Sequence, residues 1–257
     1  MRKIIQITDF HLGPNPEFRL AGVETHASFL AVVEEACQLK PDLLLVTGDI
    51  AAEPCAEAYR QFFDAMHSTN IPMIWLPGNH DVASIVEATK NAAPYQKKYD
   101  VDNWRIFMMD SVVFDSPMGC FGEPELELLK QLLAENTQDH ALVCLHHHPL
   151  EVGSEWLDFQ CIADAPDFLR IVQADPKVRG VIWGHIHQAF ERVIDDVLYA
   201  SAPSTCIQFK PNSDRFALDD EYPGYRIIEL SDDGAIRTEV RRVEVADFHV
   251  ELDSSGY

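Results

Sequence analysis

Asp9 and His11 stand two apart in "TDFH", His185 and His187 two apart in "GHIH", and both pairs end apolar runs. Side chains alternate along an extended chain, so each pair would present both groups to one face. Three more apolar runs stop in the same way: "LLLV" leads to Gly48 and Asp49, "IWLP" to Gly78, Asn79, His80 and Asp81, and "ALVCL" to His146, His147 and His148. Oxygen and nitrogen donors of these types bind first-row cations. With no cysteine among them, hard or borderline ions such as iron, manganese or zinc are favoured over thiolate chemistry.

Taken singly, most of these clusters have a plainer explanation. Gly-Asp after a strand is common turn chemistry, and Asp9 with His11 can be a loop acid beside a surface imidazole. Consecutive histidines point to opposite sides, so at most one or two of the three serve one site. "LPGNHD" is more specific, because a plain turn needs only Gly78 and Asn79, whereas His80 and Asp81 add an imidazole and a carboxylate. Together the plain explanations fail, because five strand ends of an α/β sheet would deliver donors to one edge, where ligands bind. Two Asp, one Asn and four His are too many for one zinc, which takes four ligands. They suit two ions sharing a carboxylate, roughly 3.5–4 Å apart, a pair that clamps a phosphoryl group and makes a hydroxide nucleophile at neutral pH.

The elements that must position these donors are legible by period. Residues 3–8, 42–47, 73–77, 104–110, 141–145 and 180–183 are short apolar runs that read as buried strands. Helices are expected between several of them. Residues 22–39 place Phe29, Leu30, Val33 and Cys37 on one face, with Pro41 as a stop, and residues 55–68 do the same with Tyr59, Phe62, Phe63 and Met66. A third helix starts at "GEPELELLKQLLAEN", with Pro124 in its first turn and Asn136 near its end, and a fourth covers 165–174. Alternating strands and helices predict an α/β fold with helices outside the sheet layers. From about 190 onward "ERVIDDVLYASAPSTCIQF", "GYRIIEL" and "IRTEVRRVEV" predict a second, antiparallel or mixed sheet packed on the first.

Bulk composition narrows the function classes. A chain of 257 residues that is 47% hydrophobic can bury a full core as one domain. With 42 Asp and Glu against 20 Lys and Arg, its surface repels phosphate backbones, which argues against a nucleic-acid polymer as partner and against a DNA nuclease. Six cysteines lie scattered without CxxC spacing, and Cys37 and Cys144 fall in apolar periodic stretches, where a buried free thiol is the ordinary reading. The N-terminus enters a strand at once, and nowhere do 18 apolar residues run together. A soluble, cytoplasmic protein with no membrane partner is expected, with its oligomeric state open between monomer and homodimer.

In order and spacing, "DFH", "GD", "GNHD", a His before a Pro-containing loop, and "GHIH" resemble the signature of the calcineurin-like metallophosphoesterases, here spread over about 180 residues. The resemblance implies that Asp9, His11 and His187 hold one metal ion, that Asn79, His146 and His185 hold a second, and that Asp49 bridges them. Of the three histidines it favours His146, with His147 second. It places His80 against the substrate, bonding the phosphate and protonating the leaving oxygen, and gives Asp81 the task of orienting His80. The implied fold is a four-layer α-β-β-α sandwich of two mixed sheets flanked by helices. One domain would span residues 1–257, with roughly the last ten as a flexible tail. Two divalent or trivalent ions are implied, iron or manganese foremost and zinc next.

Protein Ser/Thr phosphatases of this superfamily carry an Arg-containing "GDxVDRG" and "GNHE", whereas this chain has "GDIAAEP" and Asp81. Outside the metal motifs, "HHHPLEVGSEWLD" and "PSTCIQFKPNSDRFALDDEYPGYRIIEL" are similar to the bacterial class III 3',5'-cyclic-AMP phosphodiesterases, along nearly the whole chain. That similarity implies hydrolysis of cyclic AMP to 5'-AMP by in-line attack of a hydroxide held between the ions, with the 3' oxygen leaving on a proton from His80. Trp156 offers a face to adenine, although a large aromatic after a loop ordinarily belongs to the core. Lys210 and Arg215 lie in a loop near enough in sequence to approach a phosphate, solvated surface being the ordinary role for Arg215. The alternatives are a phosphodiesterase of glycerophosphodiesters or 2',3'-cyclic nucleotides, and a metal-binding regulatory protein without catalysis.

Overall fold

In a computed structural model, residues 1–81 and 95–254 are described. The apolar runs form strands because both of their faces are covered. β1 (Arg2–Ile7) pairs in parallel with β4 (Leu43–Val46), which pairs in parallel with β5 (Met73–Trp75). On the other side of β1 lie β14 (Gly224–Leu230) and β15 (Ile236–Arg242), both antiparallel to their neighbours, giving the order β15-β14-β1-β4-β5. A second sheet has six strands: β10 (Phe190–Ile194), β11 (Val197–Ser201), β9 (Val178–Trp183), β8 (His140–Cys144), β7 (Trp104–Met108) and β6 (Lys98–Val101), in that order. Two short hairpins, β2 (Arg19–Leu20) with β3 (Val23–Glu24) and β12 (Gln208–Phe209) with β13 (Leu218–Asp219), lie outside both sheets.

Alternation along the central strands sets the layers. In β4, Leu43 and Leu45 face the second sheet, where they meet Ile106, Met108, Leu142 and Ile182. Leu44 and Val46 face the other way, onto Phe29 and Val32 of α1 (Thr25–Gln38) and Tyr59 and Phe62 of α2 (Ala56–Ser68). In β8, Leu142 and Cys144 turn toward the first sheet, while Ala141 and Val143 pack against Leu129 and Leu132 of α3 (Gly122–Ala134) and Phe168 and Val172 of α5 (Ala165–Ala174). The result is the expected α-β-β-α sandwich. A short helix, α4 (Glu155–Asp158), follows the three histidines.

The structure differs from the sequence reading in four places. The C-terminal strands do not make a sheet of their own: β10 and β11 extend one sheet and β14 and β15 the other. Arg226 ties these two additions together from a buried position, its guanidinium reaching Ser201 O at 2.9 Å, Phe190 O at 2.9 Å and Glu191 Oε2 at 2.7 Å. On α1 the period runs through Val32 rather than Leu30, which is 40% exposed, and the Cys37 thiol is half-buried where Cys144 is buried. The last ten residues are not all frayed, since Val250 is buried against the helical side of the second sheet and Glu251 N donates to Ala21 O at 2.9 Å. Among the described residues no helix is long and apolar enough to cross a membrane.

Candidate metal centre

All five donor clusters follow strand ends, three in the first sheet (β1, β4, β5) and two in the second (β8, β9). Because the two sheets face each other, their C-terminal edges meet at one place. The pleat is not what aims the side chains. Asp9, His11, Asp49, His185 and His187 all lie beyond their strands with φ between 45° and 67°. Such a left-handed backbone costs a non-glycine residue on the order of 1–3 kcal/mol. Asp9 and His11 converge through these turns. His185 and His187 diverge through them, toward different partners.

Two overlapping groups result. Nε2 of His187 is 3.0 Å from Nε2 of His11 and 3.5 Å from Oδ1 of Asp9. Oδ1 of Asn79 is 3.0 Å from both Nε2 of His146 and Nδ1 of His185. One oxygen belongs to both groups: Oδ2 of Asp49 lies 3.6 Å from Nε2 of His11 and 3.3 Å from Nε2 of His146. Six of the seven donor residues are buried, while Asn79 and its neighbour His80 are half-exposed at the mouth.

Hydrogen bonding decides what this arrangement can hold. Nδ1–H of His146 donates to Thr47 O at 2.7 Å and Nδ1–H of His187 to Ile207 O at 2.8 Å. Each of these bonds leaves a lone pair on the inward Nε2. Those lone pairs face the oxygens of Asp49, Asn79 and Asp9 at contact distance. Acceptor against acceptor repels unless a proton or a metal ion stands between. Donors bound at about 2.0–2.2 Å to a first-row ion would sit about 3.0–3.4 Å from one another, close to the separations observed. The donor set therefore fits two ions sharing Asp49.

The electrostatics point the same way. Burial lowers the pKa of His11 and His185 well below the usual value and that of His187 to about 3. These rings stay neutral, as ligands must be. At His146 burial opposes the charged form, but the Asp49 carboxylate overrides it and pushes the ring up to about 9. Burial likewise opposes ionisation of Asp49, yet the surrounding imidazoles, His146 foremost, hold its carboxyl well below the usual range. Burial raises Asp9 to about 7. A cavity that draws a proton onto an imidazole is a cavity shaped for positive charge.

His146, rather than His147 or His148, reaches the shared carboxylate. His147 turns to Ser111, with its Nδ1 2.8 Å from the hydroxyl, and His148 stacks on the ring of His185. His80 places its backbone N–H on Asp49 Oδ1 at 2.9 Å and its Nδ1 3.0 Å from Ala52 O. Asp81 is buried next to His80. Its carboxylate accepts from Gly78 N at 2.8 Å, Ile50 N at 3.1 Å and the Tyr59 hydroxyl, so it braces the Asn79 turn against the Asp49 loop. The two loops touch so closely that a Cβ on Gly78 would fall 2.2 Å from Asp49 Oδ1.

Several supporting groups carry no sequence motif. Thr47 and Ile207 act through backbone carbonyls, and Ser204 Oγ donates to Asp9 O at 2.7 Å. Phe209 stacks on His187 at 4.1 Å and 9°, and its place in "STCIQF" was the available signal. Trp156 packs edge-on against Phe209 and Phe216, half-buried in the core. Lys210 and Arg215 are exposed, and among the described residues neither side chain bonds to the donor cluster.

Known proteins share both the sequence and the architecture. The family described as calcineurin-like phosphoesterase matches residues 2–189. Over 99% of its length the chain is 39% identical to the 3',5'-cyclic adenosine monophosphate phosphodiesterase CpdA of Vibrio vulnificus, covering 95% of that protein. It is 37% identical to CpdA of Escherichia coli K12, over 99% of this chain and 94% of that one. A dimetal phosphatase from Danio rerio superimposes with a TM-score of 0.66 at 12% identity, over 95% of this chain and 99% of that one, a likeness of fold alone. With the family match running through all five donor clusters and the relatives aligned nearly end to end, the chain belongs to the calcineurin-like phosphoesterase family.

Proposed function

We propose that this protein hydrolyses 3',5'-cyclic AMP to 5'-AMP with a pair of metal ions. The observation that carries the reading is the 39% identity over 99% of the chain to a 3',5'-cyclic AMP phosphodiesterase, combined with a donor cluster that fits two cations. Asp9, His11 and His187 would hold one ion, Asn79, His146 and His185 the other, and Asp49 both. Iron and manganese suit this thiolate-free set best, with zinc next. When bound, the ions would supply a nucleophilic oxygen at neutral pH and neutralise the phosphoryl charge.

The chain's own groups account for the rest of the reaction. His80 is half-exposed beside the donors, its Nδ1–H donates to Ala52 O at 3.0 Å, and its imidazole would bond the phosphate. Hydrolysis adds water across the P–O3' bond: its OH goes to phosphorus, the departing 3' oxygen takes the Nε2 proton of doubly protonated His80, and the proton shed by the water restores the ring. Asp81 holds the His80 turn against the Asp49 loop. We read residues 1–257 as one domain acting in the cytoplasm on a small molecule.

Turnover of cyclic AMP, cyclic GMP, 2',3'-cyclic AMP and a glycerophosphodiester, each with iron, manganese and zinc, tests the substrate. The reading expects cyclic AMP to be hydrolysed fastest, to 5'-AMP. A faster glycerophosphodiester or 2',3'-cyclic nucleotide would replace it, and no hydrolysis even of bis(p-nitrophenyl) phosphate with manganese would leave a metal-binding regulatory protein.

A further inference from the structure

A further group of donors follows β8, sharing no residue with the groups around Asp49. His148, Asp158 and Cys161 each place one ligand atom within 4.8 Å of the others. His148 is wholly buried, and among the described residues neither of its ring nitrogens completes a hydrogen bond. The backbone of Leu157 approaches the ring closely enough to favour a proton on it, without meeting the geometry of a bond. A buried imidazole left so is unusual enough to ask for a cause. The other two groups are held in place. Asp158 accepts from Val152 N at 2.7 Å and Gly153 N at 3.3 Å, and Ile162 N donates to His148 O at 3.1 Å, which pins the chain next to Cys161 alongside His148.

We propose that His148, Asp158 and Cys161 form a third cation site, for a borderline divalent ion such as zinc. One nitrogen, one oxygen and one sulfur donor exclude magnesium and calcium and suit zinc, cobalt or ferrous iron. A water would complete four-coordination. Without a cation the site is inert, because burial pushes the Cys161 thiol up to about 12. Metal binding displaces the proton and releases it to solvent.

The consequence is structural. An ion here would staple the two ends of the segment from His148 to Cys161, and so fix α4. That helix carries Trp156, which packs on Phe209, which stacks on His187. The third ion would thus steady the wall of the centre around Asp49 without joining it.

The full-length protein, stripped with chelator and titrated with cobalt(II), tests the site independently of activity, since none of the seven donors around Asp49 is a thiolate. A thiolate-to-cobalt charge-transfer absorption is expected to reach its limit within the three equivalents that fill this site and the centre around Asp49, to be displaced by zinc, to vanish in Cys161→Ala and to weaken in Asp158→Asn. Elemental analysis after zinc loading should give one ion fewer per chain in Cys161→Ala than in the unsubstituted protein. The proposal is overturned if no such band appears, if it appears only at large cobalt excess, or if it survives in Cys161→Ala.

Discussion

Nε2 of His11 lies 3.0 Å from Nε2 of His187, across 176 residues of chain. Both rings are buried, and His187 is held from behind by Ile207 O and from the side by Phe209. Opposed ring nitrogens at that separation, with Asp9 and Asp49 beside them, define a place for positive charge.

The shared carboxylate is the first test. Asp49→Asn keeps the shape and the bond from His80 N but removes the charge common to both groups. It should leave one ion in place of two at this centre, one fewer per chain, and lower phosphodiester turnover about 10²-fold or more. Elemental analysis alongside turnover checks this, and two ions held at undiminished affinity would exclude bridging.

The metal-free centre should bind ions more tightly as pH rises. Asp9 is raised to about 7 and His146 to about 9, so both carry protons at neutral and lower pH that an incoming ion must displace. Between pH 7 and 9 one proton is lost per ion pair bound, giving about tenfold in affinity per pH unit, and below 7 the slope steepens. The stability signs agree. A raised Asp stabilises the metal-free fold only at low pH and loses that contribution as pH climbs through about 7. A raised His loses its contribution through about 9. The gain in Tm on metal loading should therefore widen from pH 6 to 9, and calorimetry showing it constant or shrinking would refute the assignment.

Tyr59→Phe removes one donor from Asp81 while preserving packing in α2. Loss of about 1 kcal/mol of stability and roughly tenfold weaker metal affinity are expected, read by urea unfolding and metal titration. Unchanged affinity would confine Asp81 to the fold.

Arg226→Met should cost about 3 kcal/mol, the low end for breaking a buried pair. The low end applies because the Glu191 side chain is 49% exposed and can rehydrate. Unfolding midpoints check it, and metal stoichiometry in the folded fraction should not change.

The five clusters that the fold brings together were legible in the sequence, because a strand ending in Asp, Asn or His departs visibly from the residues that ordinarily end strands. The layers were legible too, since Leu43 to Val46 and Ala141 to Cys144 are apolar on both faces. What stayed hidden acts through the backbone or at long range. Nothing in the string marks Thr47 O or Ile207 O as the groups that fix imidazole tautomers, or the left-handed φ that turns His185 and His187 apart. Asp81 sits next to His80 in sequence, yet its bonds run to Tyr59, Gly78 and Ile50. The split of the C-terminal strands between two sheets is bridged by Arg226, one residue inside an unremarkable strand.

Diffraction from manganese-loaded crystals at the manganese absorption edge is the most direct measurement. Two anomalous peaks roughly 3.5–4 Å apart should straddle Asp49, one among Asp9, His11 and His187 and the other among Asn79, His146 and His185. A single peak there, or none, would contradict the account.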